Sequence, residues 1–197
     1  MILDRKYFQN NALFLAKDLL GKILVRQVYG KEILCKIVET EAYIGPEDKA
    51  CHAYNNKRTD RTEAMFLEGG YAYVYMIYGM YNCLNIVVNK KDKPEAVLIR
   101  AVEPLNELEY LKKNRNIKSK KIVDLTNGPG KLCKALKIDK KLNKYDLCKN
   151  KKLFILDNND KNFDIIESKR INIDYAEEYK DKLWRFYIKD NKFVSKK

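Results

Sequence analysis

The chain is poor in the residues that most often announce chemistry. It has a single histidine, His52, and five cysteines with no Cys-x-x-Cys pair. One histidine and scattered thiols cannot supply a zinc cluster of ordinary ligand spacing, so neither a metal centre nor a cofactor is expected. Cys35, Cys51, Cys83, Cys133 and Cys148 are odd in number, and reduced, mostly buried thiols are the expectation. The adjacent Cys51–His52 leaves a thiol nucleophile open, beside the blander reading of a buried cysteine next to a loop histidine. No apolar run approaches the roughly 20 residues of a membrane helix. The opening MILDRKYFQNN has no apolar signal core, so a soluble, cytoplasmic protein without a membrane partner is expected. Internal repeats and Pro-, Gly- or Ser-rich linkers are also absent.

What is abundant is positive charge. Forty Lys and Arg stand against 27 Asp and Glu, a net charge of +13. Such an excess suits a polyanionic partner, because neutralised phosphates release counterions. Part of it is Lys and Asn of the kind an AT-rich genome encodes. The 197 residues suffice for one domain with its own core, spanning 1–197.

Asn10 or Asn11 can cap a helix through LFLAKDLL that stops at Gly21. Ile23–Val28 and Glu32–Tyr43 alternate as strands around Tyr29–Gly30. Residues 45–70 read as polar loop. Tyr71–Tyr78 and Tyr81–Val88 predict a hairpin around Gly79–Met80, and Ala96–Val102 another strand. Pro104 is placed to open a helix over LNELEYLKK. The basic run 112–121, KKNRNIKSKK, is expected to be a mobile solvated loop, with a DNA contact as the alternative. Asn127-Gly128-Pro129-Gly130 precedes a helix whose N–H groups, with Lys131, could face an anion, although an ordinary capped helix explains it equally. KLFILD, FDIIE, RINID and WRFYIKD predict further strands, and the tail from about 189 to 197 is expected to fray.

Residues 37–104 concentrate the chemistry. On an extended strand Glu39, Glu41 and Tyr43 share one face, so both carboxylates could meet one cavity and deprotonate water. Surface ion pairing is the competing explanation. Tyr71, Tyr73 and Tyr75 share a hairpin face. Tyr78, Met80 and Tyr81 sit at the tip, where little core is available to bury them and insertion into a partner is the alternative. Aromatics beside a carboxylate suit a pocket that stacks a flat ring, and in so basic a chain a nucleobase.

VETEAYIGPEDKACH, AMF, YVYMIYGMYNCLNI, LIRAVEP, LTNGPGKLCKAL and WRFYI together resemble the alkyladenine (methylpurine, or 3-methyladenine) DNA glycosylases of the mammalian type, from DRKYF nearly to the end of the chain. The resemblance implies a single α/β (α+β) domain, with a curved, mainly antiparallel sheet flanked by helices and a protruding hairpin. It implies a monomer that flips alkylated or deaminated purines out of double-stranded DNA and hydrolyses the N-glycosidic bond, leaving an abasic site. In this sequence Glu41 matches the water-activating base and Arg100 an arginine that helps hold the water. Tyr43 and Tyr75 match the aromatics on either side of the base, His52 a residue at the base edge, and Asn85 an asparagine that rejects guanine. Tyr78 matches the side chain that fills the vacated stack, with Met80 and Tyr81 beside it. Thr59, Arg61 and Lys131 are assigned to the DNA backbone. Glu39 is expected to be dispensable for the chemistry. Lys57, Asn172 and Leu183 depart from the pattern, which bears on DNA grip. A catalytically inactive nucleic-acid-binding relative is the alternative, and a lyase would need a pocket amine, where the motif offers Glu. In a bacterium such a protein would be nucleoid-associated.

Overall fold

Tyr29 (φ +49°) and Gly30 (φ +73°) both adopt left-handed backbone. Two such residues make the short hairpin turn whose twist matches the strands it joins. They connect β1 (Ile23–Val28) to β2 (Lys31–Ile44), paired from Val28↔Lys31 to Ile23↔Lys36. The computed structural model describes residues 1–119, 121–149, 151–158 and 161–196.

β2 is long enough to be shared. Its start pairs with β1, its Glu39–Glu41 stretch pairs on that same side with β8 (Arg185–Ile188), and its other edge pairs with β5 (Glu95–Pro104). Beyond β5 lies the hairpin of β4 (Tyr81–Val88) and β3 (Ala72–Ile77); beyond β1 lies β6 (Leu153–Leu156), and β7 (Ile165–Ser168) pairs β8. Every strand pairing is antiparallel, giving an open eight-stranded sheet with the order β3-β4-β5-β2-β1-β6 and the β7–β8 pair appended to β2.

The two sheet faces carry different cover. Ala72, Val74, Leu84, Ile86, Val88 and Val97 belong to the main core, packed with α2 (Ala12–Asp18), which follows the one-turn α1 (Arg5–Phe8), and with α4 (Pro129–Ala135). Asn11 caps α2, its side chain accepting the Phe14 N–H. The alternate residues Tyr73, Val87 and Ala96 form a second cluster with Cys51, Ala53, Ala64, Met65 and Phe66. Residues 45–70 are thus irregular, as read from the sequence; Cys51, Ala53 and Ala64–Phe66 roof the sheet face opposite the helices, while 55–61 are exposed.

Two compensating irregularities interrupt the β2–β5 ladder. The register steps from Ile37↔Val102 to Glu39↔Ala101, which leaves Val38 extra, and then to Thr40↔Ile99, which leaves Arg100 extra. Such bulges re-aim a side chain while the ladder continues beyond them. Here the re-aimed residue is Arg100, beside both glutamates.

Several expectations are corrected. Pro104 closes β5 instead of opening a helix. α3 is Leu108–Arg115, entered through Glu107 at φ +51°. The basic run therefore begins as helix, and Arg115 is buried with its guanidinium donating to the Asp124 carbonyl, so Lys112–Arg115 are not a mobile loop. RINID forms a turn into a 3-10 segment, Asp174–Asp181, since Asn172 sits at φ +60° and breaks any extended run. The segment 189–196 is tied down: Val194 is buried and Ser195 donates two hydrogen bonds to Glu39. Lys120 of the basic run and Lys197 of the tail lie outside the described residues.

Candidate active site

The alternation read from β2 places Glu39 and Glu41 on one face, and both side chains are completely buried. Burying a carboxylate is tolerable only when it is paired and hydrogen-bonded. Glu41 meets that demand with three donors. Ile171 N–H reaches Oε1 at 2.8 Å, the Tyr43 hydroxyl reaches Oε2 at 2.8 Å, and Arg100 Nη1 stands 3.3 Å from Oε2. Arg100 Nε lies 3.3 Å from Glu39 Oε1, so one guanidinium bridges the two carboxylates. Glu39 is therefore linked to Glu41 through Arg100.

A cavity of about 440 Å³ opens above this pair. Tyr43, His52, Tyr75, Asn85 and Arg100 all line it, as does Tyr78 at its mouth. Glu41 lies just behind the wall, bonded to three lining residues: Tyr43, Ile171 and Arg100. The Tyr43 phenol stays protonated, held well above its ordinary range by burial and by the neighbouring Glu41 charge. Burial also raises the Tyr75 hydroxyl. His52 sets its ring edge-on to Tyr75 at 4.6 Å between centroids, with Nδ1 2.9 Å from the Tyr73 hydroxyl. Burial, with the Arg61 charge nearby, pulls His52 down to about 4, so it is neutral at physiological pH. Asn85 is buried and donates from Nδ2 to the Tyr73 carbonyl at 3.1 Å.

Cys51 also borders the cavity, and burial pushes its thiol up to about 12. It is not an activated nucleophile. No three His, Cys, Asp or Glu side chains come together in a metal-binding group among the described residues.

The hairpin tip projects from the site. Tyr78 is 77% exposed at φ +50°, an uncommon backbone for a bulky residue, followed by Gly79 at φ +67° and by Met80, 67% exposed. Tyr81 is more anchored. A Cβ at Gly130 would lie 3.1–3.2 Å from its Cβ and ring, so the glycine permits α4 to brace the hairpin root. The three residues assigned to the DNA backbone are dispersed. Arg61 lines the cavity with its guanidinium 5.2 Å from the Tyr75 ring centroid. Thr59 is exposed and organises a local turn with Thr62. Lys131 bonds Asn127 at 2.8 Å.

The structure adds residues that the sequence did not flag. Arg170 makes two bonds to Asp48, at 2.5 and 2.8 Å, and lies over both the Tyr43 and Trp184 rings. It holds the outer side of Tyr43, because Arg170 itself does not line the cavity. Ile171 supplies the N–H to Glu41, and Tyr175 lines the cavity together with Asn172, which the sequence marked only as a departure bearing on DNA grip. The available signals were weak: Asp48 falls inside GPED, and an asparagine can take the left-handed turn at 172.

A buried carboxylate paired with an arginine behind an aromatic cavity can activate a water beside a stacked flat ring. Comparison with known proteins agrees. Residues 6–192 match the sequence model described as methylpurine-DNA glycosylase. A protein of Natranaerobius thermophilus named "Putative 3-methyladenine DNA glycosylase" is 59% identical over 99% of both chains. Proteins of the same name in Clostridium novyi and Clostridium botulinum are 56% and 54% identical, over 99% and 100% of this chain and 98% and 100% of theirs. The chain belongs to the methylpurine-DNA glycosylase family, hydrolases of DNA repair that act on DNA.

Proposed function

We propose that this protein extrudes alkylated or deaminated purines (3-methyladenine, 7-methylguanine, hypoxanthine, ethenoadenine) from duplex DNA and hydrolyses their N-glycosidic bond, leaving an intact abasic site. The observation that carries the reading is the bridged Glu41–Arg100 pair directly behind a cavity walled by Tyr43, Tyr75 and His52. Tyr43 and Tyr75 stack the purine, His52 meets its edge, and buried Asn85 excludes an exocyclic amine where guanine carries one. Tyr78, flanked by Met80 and Tyr81, enters the duplex behind the extruded nucleotide.

As the bond between C1′ and the purine nitrogen breaks, its electron pair leaves with the base and the sugar gains oxocarbenium character. A water attacks C1′. Oε1 of Glu41 accepts one protein hydrogen bond, which leaves acceptor capacity for that water. Glu41 takes its proton and stabilises the positive sugar, while Arg100 orients the water and pairs with the carboxylate. Arg61 and, further out, Thr59 and Lys131 meet the phosphates. Among the described residues no lysine lines the pocket, which supports hydrolysis without a covalent imine or strand cut. The protein acts as a monomer in the cytoplasm, on nucleoid DNA.

The test is base release from duplexes carrying each of these lesions, followed by alkali to reveal abasic sites. Release of the free base with strand breaks only after alkali supports the reading. A borohydride-trapped protein–DNA adduct refutes the hydrolytic step, and binding without release favours an inactive relative.

A further inference from the structure

Glu39 does not line the cavity, yet its carboxylate is the more crowded of the pair. Oε1 accepts from Arg185 Nη1 at 2.9 Å, Ser195 Oγ at 2.9 Å and Arg100 Nε at 3.3 Å, and Oε2 accepts the Ser195 N–H at 2.6 Å. Arg185 is itself fixed by the Lys169 and Lys196 carbonyls and the Ser168 hydroxyl. A continuous set of contacts therefore runs Ser195–Glu39–Arg100–Glu41, from the 193–196 segment to the site.

We propose that Glu39, held in place by Ser195, is a positioning residue that aims Arg100 at Glu41 and the attacking water. Arg100 stands at a bulge, where the ladder alone does not dictate its direction. Its guanidinium is a rigid planar fork, so anchoring Nε on one carboxylate turns Nη1 towards the other. Arg185 balances the charge of Glu39, which leaves the charge of Arg100 available to Glu41. The segment 193–196 thus serves as a brace for the catalytic pair, 61 residues in sequence separating Glu39 from the arginine it orients.

The inference rests on Glu41 and Arg100 being the catalytic pair. Its test is single-turnover base release, lesion-DNA Kd and thermal melting for wild type, Ser195→Ala, Ser195→Thr and Glu39→Gln. Ser195 is half-buried near the end of the chain, and melting reports whether its variants fold. Ser195→Ala should lower the rate constant several-fold and Glu39→Gln by about 10²-fold, the scale of an ångström-sized misplacement, with Kd within about twofold of wild type. Ser195→Thr, which keeps the hydroxyl, should restore the rate. Unchanged rate constants in folded Glu39→Gln and Ser195→Ala would overturn the proposal. So would losses of rate and binding that track only the folded fraction. A wild-type protein that releases no base from any lesion duplex fails earlier and removes the catalytic reading itself.

Discussion

The Tyr43 hydroxyl donates a 2.8 Å hydrogen bond to Glu41 Oε2, joining a ring that walls the cavity to the carboxylate behind it. Stacking and chemistry thereby share one side chain, and substitution can separate them. Tyr43→Phe keeps the ring and removes the donor, leaving Ile171 and Arg100 on Glu41. Lesion-DNA affinity should stay within about twofold, while the single-turnover rate falls by about tenfold, the cost of one lost hydrogen bond to a charged group. Glu41→Gln should cost about 10²–10⁴ in rate, the usual contribution of a general base, with binding largely retained. Near wild-type excision by Glu41→Gln would remove Glu41 from the chemistry.

His52 supplies a pH test. Its pKa in the fold is about 4, below the ordinary 6.5, because burial and Arg61 oppose the charged ring. Between those values the unfolded chain binds more protons than the folded one. Stability therefore rises with pH across the window from about 4 to 6.5 and is lost as pH falls through it. Urea unfolding from pH 7 to 4 should show this slope in wild type, and His52→Gln should flatten it. A slope identical in both would mean that His52 charges freely in the folded protein.

These two contacts also mark how far the sequence could be read. Period-two alternation is enough to put Glu39, Glu41 and Tyr43 on one face, and the Tyr29–Gly30 turn is legible from its glycine, which takes positive φ without strain, although Tyr29 holds an uncommon φ for a bulky residue. The pocket set of Tyr43, His52, Tyr75, Asn85 and Arg100 came from family resemblance and meets around one cavity. What stayed hidden depends on partners distant in sequence. The bulges at Val38 and Arg100 exist only in the register between two strands. The Arg170–Asp48 pair, the Ile171 N–H on Glu41 and the bracing by Ser195 join the last third of the chain to the first. RINID was misread as a strand because alternation does not reveal a left-handed residue at its centre.

The excess of 13 positive charges should govern binding to undamaged duplex. Affinity should fall linearly on a log–log plot against salt, with a slope of about −0.9 per phosphate neutralised. Arg61→Gln should make that slope shallower by about one phosphate equivalent. Fluorescence anisotropy from low to moderate salt measures both. A flat titration would reduce the charge to a compositional accident, and an unchanged slope in Arg61→Gln would take that side chain off the backbone and leave it to its contact with Tyr75.

Tyr78 carries the sharpest prediction, because its surroundings separate stability from function. A ring 77% exposed at a hairpin tip contributes little to the fold, whereas truncating a buried aromatic costs about 3–5 kcal/mol. Its backbone at φ +50° is one that a smaller or more permissive residue holds with less strain. Tyr78→Ser should therefore melt within a few degrees of wild type, and Tyr78→Asn at or above it. Extrusion is where the loss should fall. Opening a base step costs a few kcal/mol, and the inserted ring recovers part of that. Both variants should lower the fluorescence signal of a base analogue placed opposite or beside the lesion, and weaken lesion binding more than binding to undamaged duplex. The root of the hairpin gives the complementary case. Gly130→Ala would press a methyl group against Tyr81 at 3.1–3.2 Å and tilt the hairpin with Tyr78 still present. If the tip acts by insertion, this variant should reproduce part of the extrusion defect without touching the tip. Normal extrusion in Tyr78→Ser at unchanged stability would refute the wedge and leave the exposed ring without a role in the duplex.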